Sequence, residues 1–122
     1  MTTLAGMALF FMASGLLLAV LCIPMIRRTL KPNTWYGVRI PATLHNERLW
    51  YDANAYAGKV LLVTALIWVV SALGFALIPG MTFDAYSVIM LVVLVILFVP
   101  SSILLWRQIS RLSRADASGD TP

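Results

Sequence analysis

The sequence predicts an all-α membrane protein with three transmembrane helices and a cytoplasmic loop carrying a short interfacial helix. Three observations predict it. The apolar residues gather into three uncharged blocks, near 4–26, 60–79 and 86–106, instead of spreading along amphipathic periods. Of the 122 residues, 61% are apolar and only 11% charged, against roughly a quarter charged in soluble domains. All nine Lys and Arg fall in two segments, the loop after the first block and the tail after the third. One membrane module over 1–114 is expected, with a disordered tail over 115–122.

The first block runs from Leu4 to Ile26 and stops at Arg27-Arg28. Like the other two it can cross a hydrocarbon core of about 30 Å at about 1.5 Å per residue. A chain this short cannot wrap three such helices in protein, so lipid is their expected surround. No Lys or Arg precedes Arg27, and Met25-Ile26-Arg27-Arg28 is a poor cleavage site, so the block is expected to stay in the mature protein. Cys22, the single cysteine, reads as a small buried apolar side chain. Gly15 and Ala19 stand four apart, as do Ala72 and Ala76 in the second block. That spacing lets helices approach closely. Pro24 and Pro100 each remove an amide near a helix end and predict a kink.

The second and third blocks are joined by the short turn Gly80 to Asp84. After Trp106, Arg107, Arg111 and Arg114 fall on one side at helical spacing, and Trp106, Ile109 and Leu112 toward another. This predicts a short amphipathic extension at headgroup level. The positive-inside rule places the N-terminus outside and the loop and tail in the cytoplasm of a bacterial inner membrane. Basic residues in these places are expected to meet membrane lipids, and nothing here predicts a nucleic-acid partner. No Asp, Glu, Lys, Arg or His lies in any block, which argues against a pump or ion-coupled transporter.

The loop 27–59 is where specific chemistry is expected. Two prolines, an asparagine and a glycine in Lys31–Pro41 enforce turns and extended pieces. Thr43 is placed to cap a helix starting at Leu44, with Asn46 and Glu47 in its first turn. That helix is expected to lie in the interface before turning into the second span near Gly58-Lys59. Asn46, Trp50 and Asn54, with Gly58 next in line, share one face. With Arg39 from the preceding segment they would form a small polar pocket under the bundle. The alternative makes Trp50 and Tyr51 interfacial anchors, with Asn46 and Asn54 as caps. Glu47 and Asp52 point about 140° apart on a helix, so they are not a paired-carboxylate site. His45 stands alone without a cysteine cluster, and no glycine-rich phosphate loop is present. No catalytic residue, metal site or cofactor is therefore expected.

The run Asn33-Thr34-Trp35-Tyr36-Gly37-Val38-Arg39-Ile40-Pro41, then Thr43-Leu44, Asn46-Glu47, Trp50 and Gly58-Lys59, resembles the SdpI/YfhL family of small bacterial membrane proteins. Two positions depart from that pattern: Ile40, where threonine is frequent, and Asn54, where histidine is common. A role needing an imidazole at Asn54 does not carry over. The resemblance implies immunity to, or sensing of, a membrane-active peptide toxin, with signal transduction through a cytoplasmic regulator protein in the best-known member. It implies a functional surface of Asn33, Gly37, Arg39, Pro41, Thr43, Asn46, Trp50 and Gly58, to which the shared face adds Asn54. Two other functions compete. One is a small transport or accessory subunit, which three helices could form only as a homo-oligomer. The other is a membrane enzyme on lipid-linked substrates, with Arg39 on phosphate and His45 or Glu47 as base.

Overall fold

A computed structural model describes residues 2–118, with side chains through Ala115. These described residues form four helices: α1 (Thr3–Ile26), α2 (Pro41–Leu44), α3 (Glu47–Ala76) and α4 (Phe83–Ser118). Three of them, α1, α3 and α4, are long and apolar enough to cross a membrane. At about 1.5 Å per residue, the 24 residues of α1 match a hydrocarbon core closely. The 30 residues of α3 and 36 of α4 overshoot it.

The overshoot corrects one expectation. The loop helix is not a separate interfacial element that turns into the second span. Residues 47–58 are the first turns of α3 itself, continuous with the span. Nothing at Gly58-Lys59 breaks the helix, because Gly58 is packed against α1 and holds its helical geometry there. The cap also moves. Asn46, not Thr43, is the N-cap of α3, its Oδ1 accepting from Leu49 N at 3.2 Å. Thr43 instead closes the one-turn helix α2, whose first residue is Pro41, the position where a missing amide costs nothing. At the far end, α4 continues to Ser118, over the first part of the tail expected to be disordered. Residues 119–122 lie outside the described residues.

The sequence explains the element ends. Thr2 caps α1 through Ala5 N at 3.0 Å, and Thr82 caps α4 through Ala85 N at 3.1 Å. Between α3 and α4, Gly80 takes φ +80, a left-handed turn that suits glycine. At the end of α1, Thr29 N donates to Pro24 O at 3.0 Å and Arg28 N to Met25 O at 3.3 Å. This is a Schellman closure, with Arg28 at φ +59 where glycine is usual.

α3 is the central helix, with α1 on one side and α4 on the other. Gly15 and Gly58 set the α1–α3 approach. A Cβ on Gly15 would stand 2.5 Å from Val69 Cγ2, and one on Gly58 2.9 Å from Ile26 Cγ1 and 3.1 Å from Cys22 O. Cys22 and Met25 are buried beside it. Near the α3–α4 turn, Ala8, Ala72, Tyr86 and Met90 form a buried cluster bordered by Phe11, Trp68 and Phe75. Its polar tips are satisfied. Tyr86 OH donates to Ala72 O at 2.9 Å, and Trp68 Nε1 to Phe11 O at 3.0 Å. Midway along α3 and α4, Thr64 Oγ1 and Ser101 Oγ stand 2.8 Å apart, a hydroxyl bridge between helices.

Candidate functional site

The loop between α1 and α3 is a folded cap on one end of the bundle. Asn33 shapes its first half. Its Oδ1 accepts from Trp35 N at 2.8 Å and Tyr36 N at 3.0 Å, and its Nδ2 donates to Lys31 O at 2.8 Å. This asparagine turn reverses the chain. The Arg39 guanidinium closes the same turn by donating to Thr34 O.

Asn54 and Trp50 then fasten the loop to α3. Asn54 Oδ1 accepts from Val38 N at 2.7 Å, and its Nδ2 donates to Trp50 O at 2.9 Å. Trp50 Nε1 donates to Leu30 O at 2.9 Å. Both side chains are buried, so these bonds are shielded from competing water. Gly37, at φ +108, lies over them. A Cβ there would come within 2.6 Å of Asn54 Oδ1 and 3.3 Å of Trp50 Cη2. Thr43, fully buried, finishes the cap. Its Oγ1 lies 2.7 Å from Val38 O and accepts from Ile40 N at 3.1 Å. No buried side-chain nitrogen or oxygen among the described residues lacks a partner.

This geometry sorts the nine residues singled out by sequence. Gly37, Thr43, Trp50 and Asn54 come together around Val38 as one bonded unit, and Asn33 shapes the turn that precedes it. Asn46 and Pro41 start α3 and α2. Gly58 sits lower, in the α1–α3 contact. Arg39 is exposed and bonds to the Thr34 carbonyl. The polar pocket expected from Arg39, Asn46, Trp50 and Asn54 is therefore not open. The indole and the Asn54 amide fill that space and bond to the loop backbone. Nor is Trp50 an exposed interfacial anchor.

The outward surface of the cap carries other residues. Trp35 is 83% exposed. Lys31, Thr34, Arg39, His45, Glu47 and Arg48 are exposed as well. Arg28 pairs with Asp52 at 2.6 Å across the base of the loop.

A second feature lies within the membrane span. α1 and α4 meet near the α3–α4 turn, where Ser87 Oγ donates to Met7 Sδ at 3.5 Å. Toward the loop they part, and a cleft of about 260 Å³ opens with α3 as its floor. Leu18, Leu94, Phe98 and Leu105 form its apolar walls, and Ser14, Thr64, Ser101 and Ser102 contribute hydroxyls. Trp68 also lines it, and neither Trp68 nor the buried Tyr86 figures among the residues selected from sequence. Their only sequence signal is an aromatic with a polar tip inside an apolar block, which needs a bonding partner when buried.

A family model described as the SdpI/YfhL protein family matches residues 29–105. The chain belongs to the SdpI/YfhL family. The match begins just after α1 and runs through the cap, α3 and most of α4. The SdpI family module in this chain thus includes both helices joined by the Thr64–Ser101 bridge, well beyond the loop motif alone. Nothing matches among curated proteins or among solved structures. The SdpI motif residues of this chain, placed in three dimensions, are chiefly the ones that fold the cap and seat it on α3.

Proposed function

We propose that this integral membrane protein of the SdpI type is a non-enzymatic immunity or sensing protein for a membrane-active peptide toxin. In this reading it lies in the bacterial inner membrane with the cap and the end of α4 in the cytoplasm, as the distribution of Lys and Arg favours. The observation that carries the reading is the contrast within the cap. Its interior is bonded and closed, while Trp35 is left 83% exposed beside Arg39. An exposed tryptophan next to an arginine on a rigid base is the composition of a contact hot spot. The same face suits a cytoplasmic regulator protein, which would make toxin binding and signalling compete for Trp35.

The test is survival of a sensitive bacterium expressing the chain and challenged with membrane-active peptides. Protection is expected. Trp35→Ala is expected to remove most of it while leaving membrane expression unchanged, and Arg39→Ala to remove most of it while also loosening the Thr34 turn. Trp50→Ala is expected to lower expression itself, because deleting a buried tryptophan costs about 3–5 kcal/mol. Absence of protection at verified expression, against every peptide tried, overturns the reading.

A second reading, the oligomeric transport or accessory subunit, draws support from the α1/α4 cleft, which a helix of a second copy would fill. The small residues that motivate it from sequence are used within the chain. Gly15 packs on α3, and Ala72 lies in the core beside Tyr86. A monomeric mass in nanodiscs would remove this reading.

A further inference from the structure

We propose that the end of α4 carries a binding site for the phosphate of an anionic phospholipid. Trp106, Arg107, Ser110, Arg111 and Arg114 line one concavity of about 200 Å³. The sequence pattern grouped Trp106 with Ile109 and Leu112. In the structure it stands with the arginines, because Trp106 and Ser110 are four apart and stack on one face. Three arginines line it together, and no described carboxylate pairs with them. The ion pair Arg28–Asp52 lies elsewhere, at the base of the loop.

Three features point to a lipid. First, the site begins where the apolar run ends. Trp106 is 72% exposed, and an exposed tryptophan at a span end sits at headgroup depth. Arg107 follows directly, so the guanidiniums occupy the layer where lipid phosphates lie. Second, the site faces away from the bundle. Leu105, Ile109 and Leu112 repeat at the same spacing on the opposite side of α4, and Ile109 is buried. The arginine side is therefore turned toward surrounding lipid. Third, the arginines are held in register by their helix. They stand on the unbroken helix α4 and not on a flexible tail, so little order has to be imposed on binding. Guanidinium forks engage phosphate oxygens in paired hydrogen bonds, and Ser110 adds a hydroxyl. Basic pockets beside spans are a recognised way of holding acidic headgroups. Free phosphate shares the oxygen chemistry but gains nothing from Trp106 or from the adjoining span.

The experiment uses the full chain in nanodiscs of phosphatidylcholine with phosphatidylglycerol at one part in five. Lipid that stays bound on release into the gas phase is counted by native mass spectrometry. The wild type is expected to retain phosphatidylglycerol over phosphatidylcholine. Arg107→Gln/Arg111→Gln is expected to lower that retention at least fivefold, and Arg111→Lys to lower it by less. Lys31→Gln, on the exposed loop, is expected to leave it unchanged. Glycerol 3-phosphate in excess is expected not to displace the lipid. Equal retention of the two lipids, unchanged retention in the double variant, or displacement by glycerol 3-phosphate would each overturn the proposal. If the double variant fails to fold, Arg114→Gln alone decides it, with at least a twofold loss expected and no loss overturning.

Discussion

Asn54 shows how one side chain joins two parts of the sequence. It accepts from Val38 N, sixteen residues earlier in the loop, and donates to Trp50 O one turn back on its own helix. It is 1% exposed, so water cannot replace either bond. Asn54→Leu keeps the branched skeleton but leaves the Val38 amide without its acceptor, which costs about 1–3 kcal/mol. We expect a lower thermal midpoint for this variant in detergent and faster proteolysis within residues 29–40. Gly37 depends on the same contact, since its left-handed backbone brings it within reach of the Asn54 amide. The identity of these residues was legible in the sequence as a motif. Their roles were not. Arg39 and Asn54 both look like polar groups for a ligand, and only the fold shows that Arg39 stays exposed while bonded to the Thr34 carbonyl and that Asn54 is buried with its amide spent on the backbone.

At the scale of elements, the α1–α3 pair depends on two glycines, one on each helix, whose contacts lie about two to three helical turns apart along the interface. Gly15 meets Val69 and Trp68, and Gly58 meets Ile26, Met25 and the Cys22 carbonyl. The crowding at Gly58 involves backbone, which gives way less easily than a side-chain tip. Gly58→Val is therefore expected to push α1 from α3 and cost about 1–3 kcal/mol, read as a lowered midpoint of thermal unfolding. Gly74 has open space around it, so Gly74→Ala serves as the control and is expected to be neutral or slightly stabilising. The three spans themselves were legible from hydropathy because lipid imposes a length and a lack of charge on each one. The continuity of α3 was not. A polar, aromatic half followed by an apolar half reads as two elements, and it is one because its first turns rest on α1 and the loop.

For the whole molecule, the two ends of the bundle are unlike. One end holds a short turn and an aromatic cluster. The other holds the folded cap, the parting of α1 and α4, and the three arginines of α4. The expected orientation puts the second end in the cytoplasm. A phosphatase reporter fused after Arg114 should be inactive, and one inserted at Gly80 active in the periplasm. The reverse pattern would relocate the cap and the arginine site to the outside and remove the proposed access to a cytoplasmic regulator.

The sequence by itself determined the helical class, the three spans, their order and the family motif. Each of these is written locally, in runs of apolar residues or at fixed spacing, and lipid makes the first kind unambiguous. Only the tertiary structure decided that α3 is central, that the motif builds a closed cap, that Trp35 and Arg39 are left outside it, and that α1 and α4 enclose a cleft. Those outcomes depend on contacts such as Trp50 with Leu30 and Thr64 with Ser101. Distance along the chain does not encode them, and each follows from which surfaces can approach closely enough to bond.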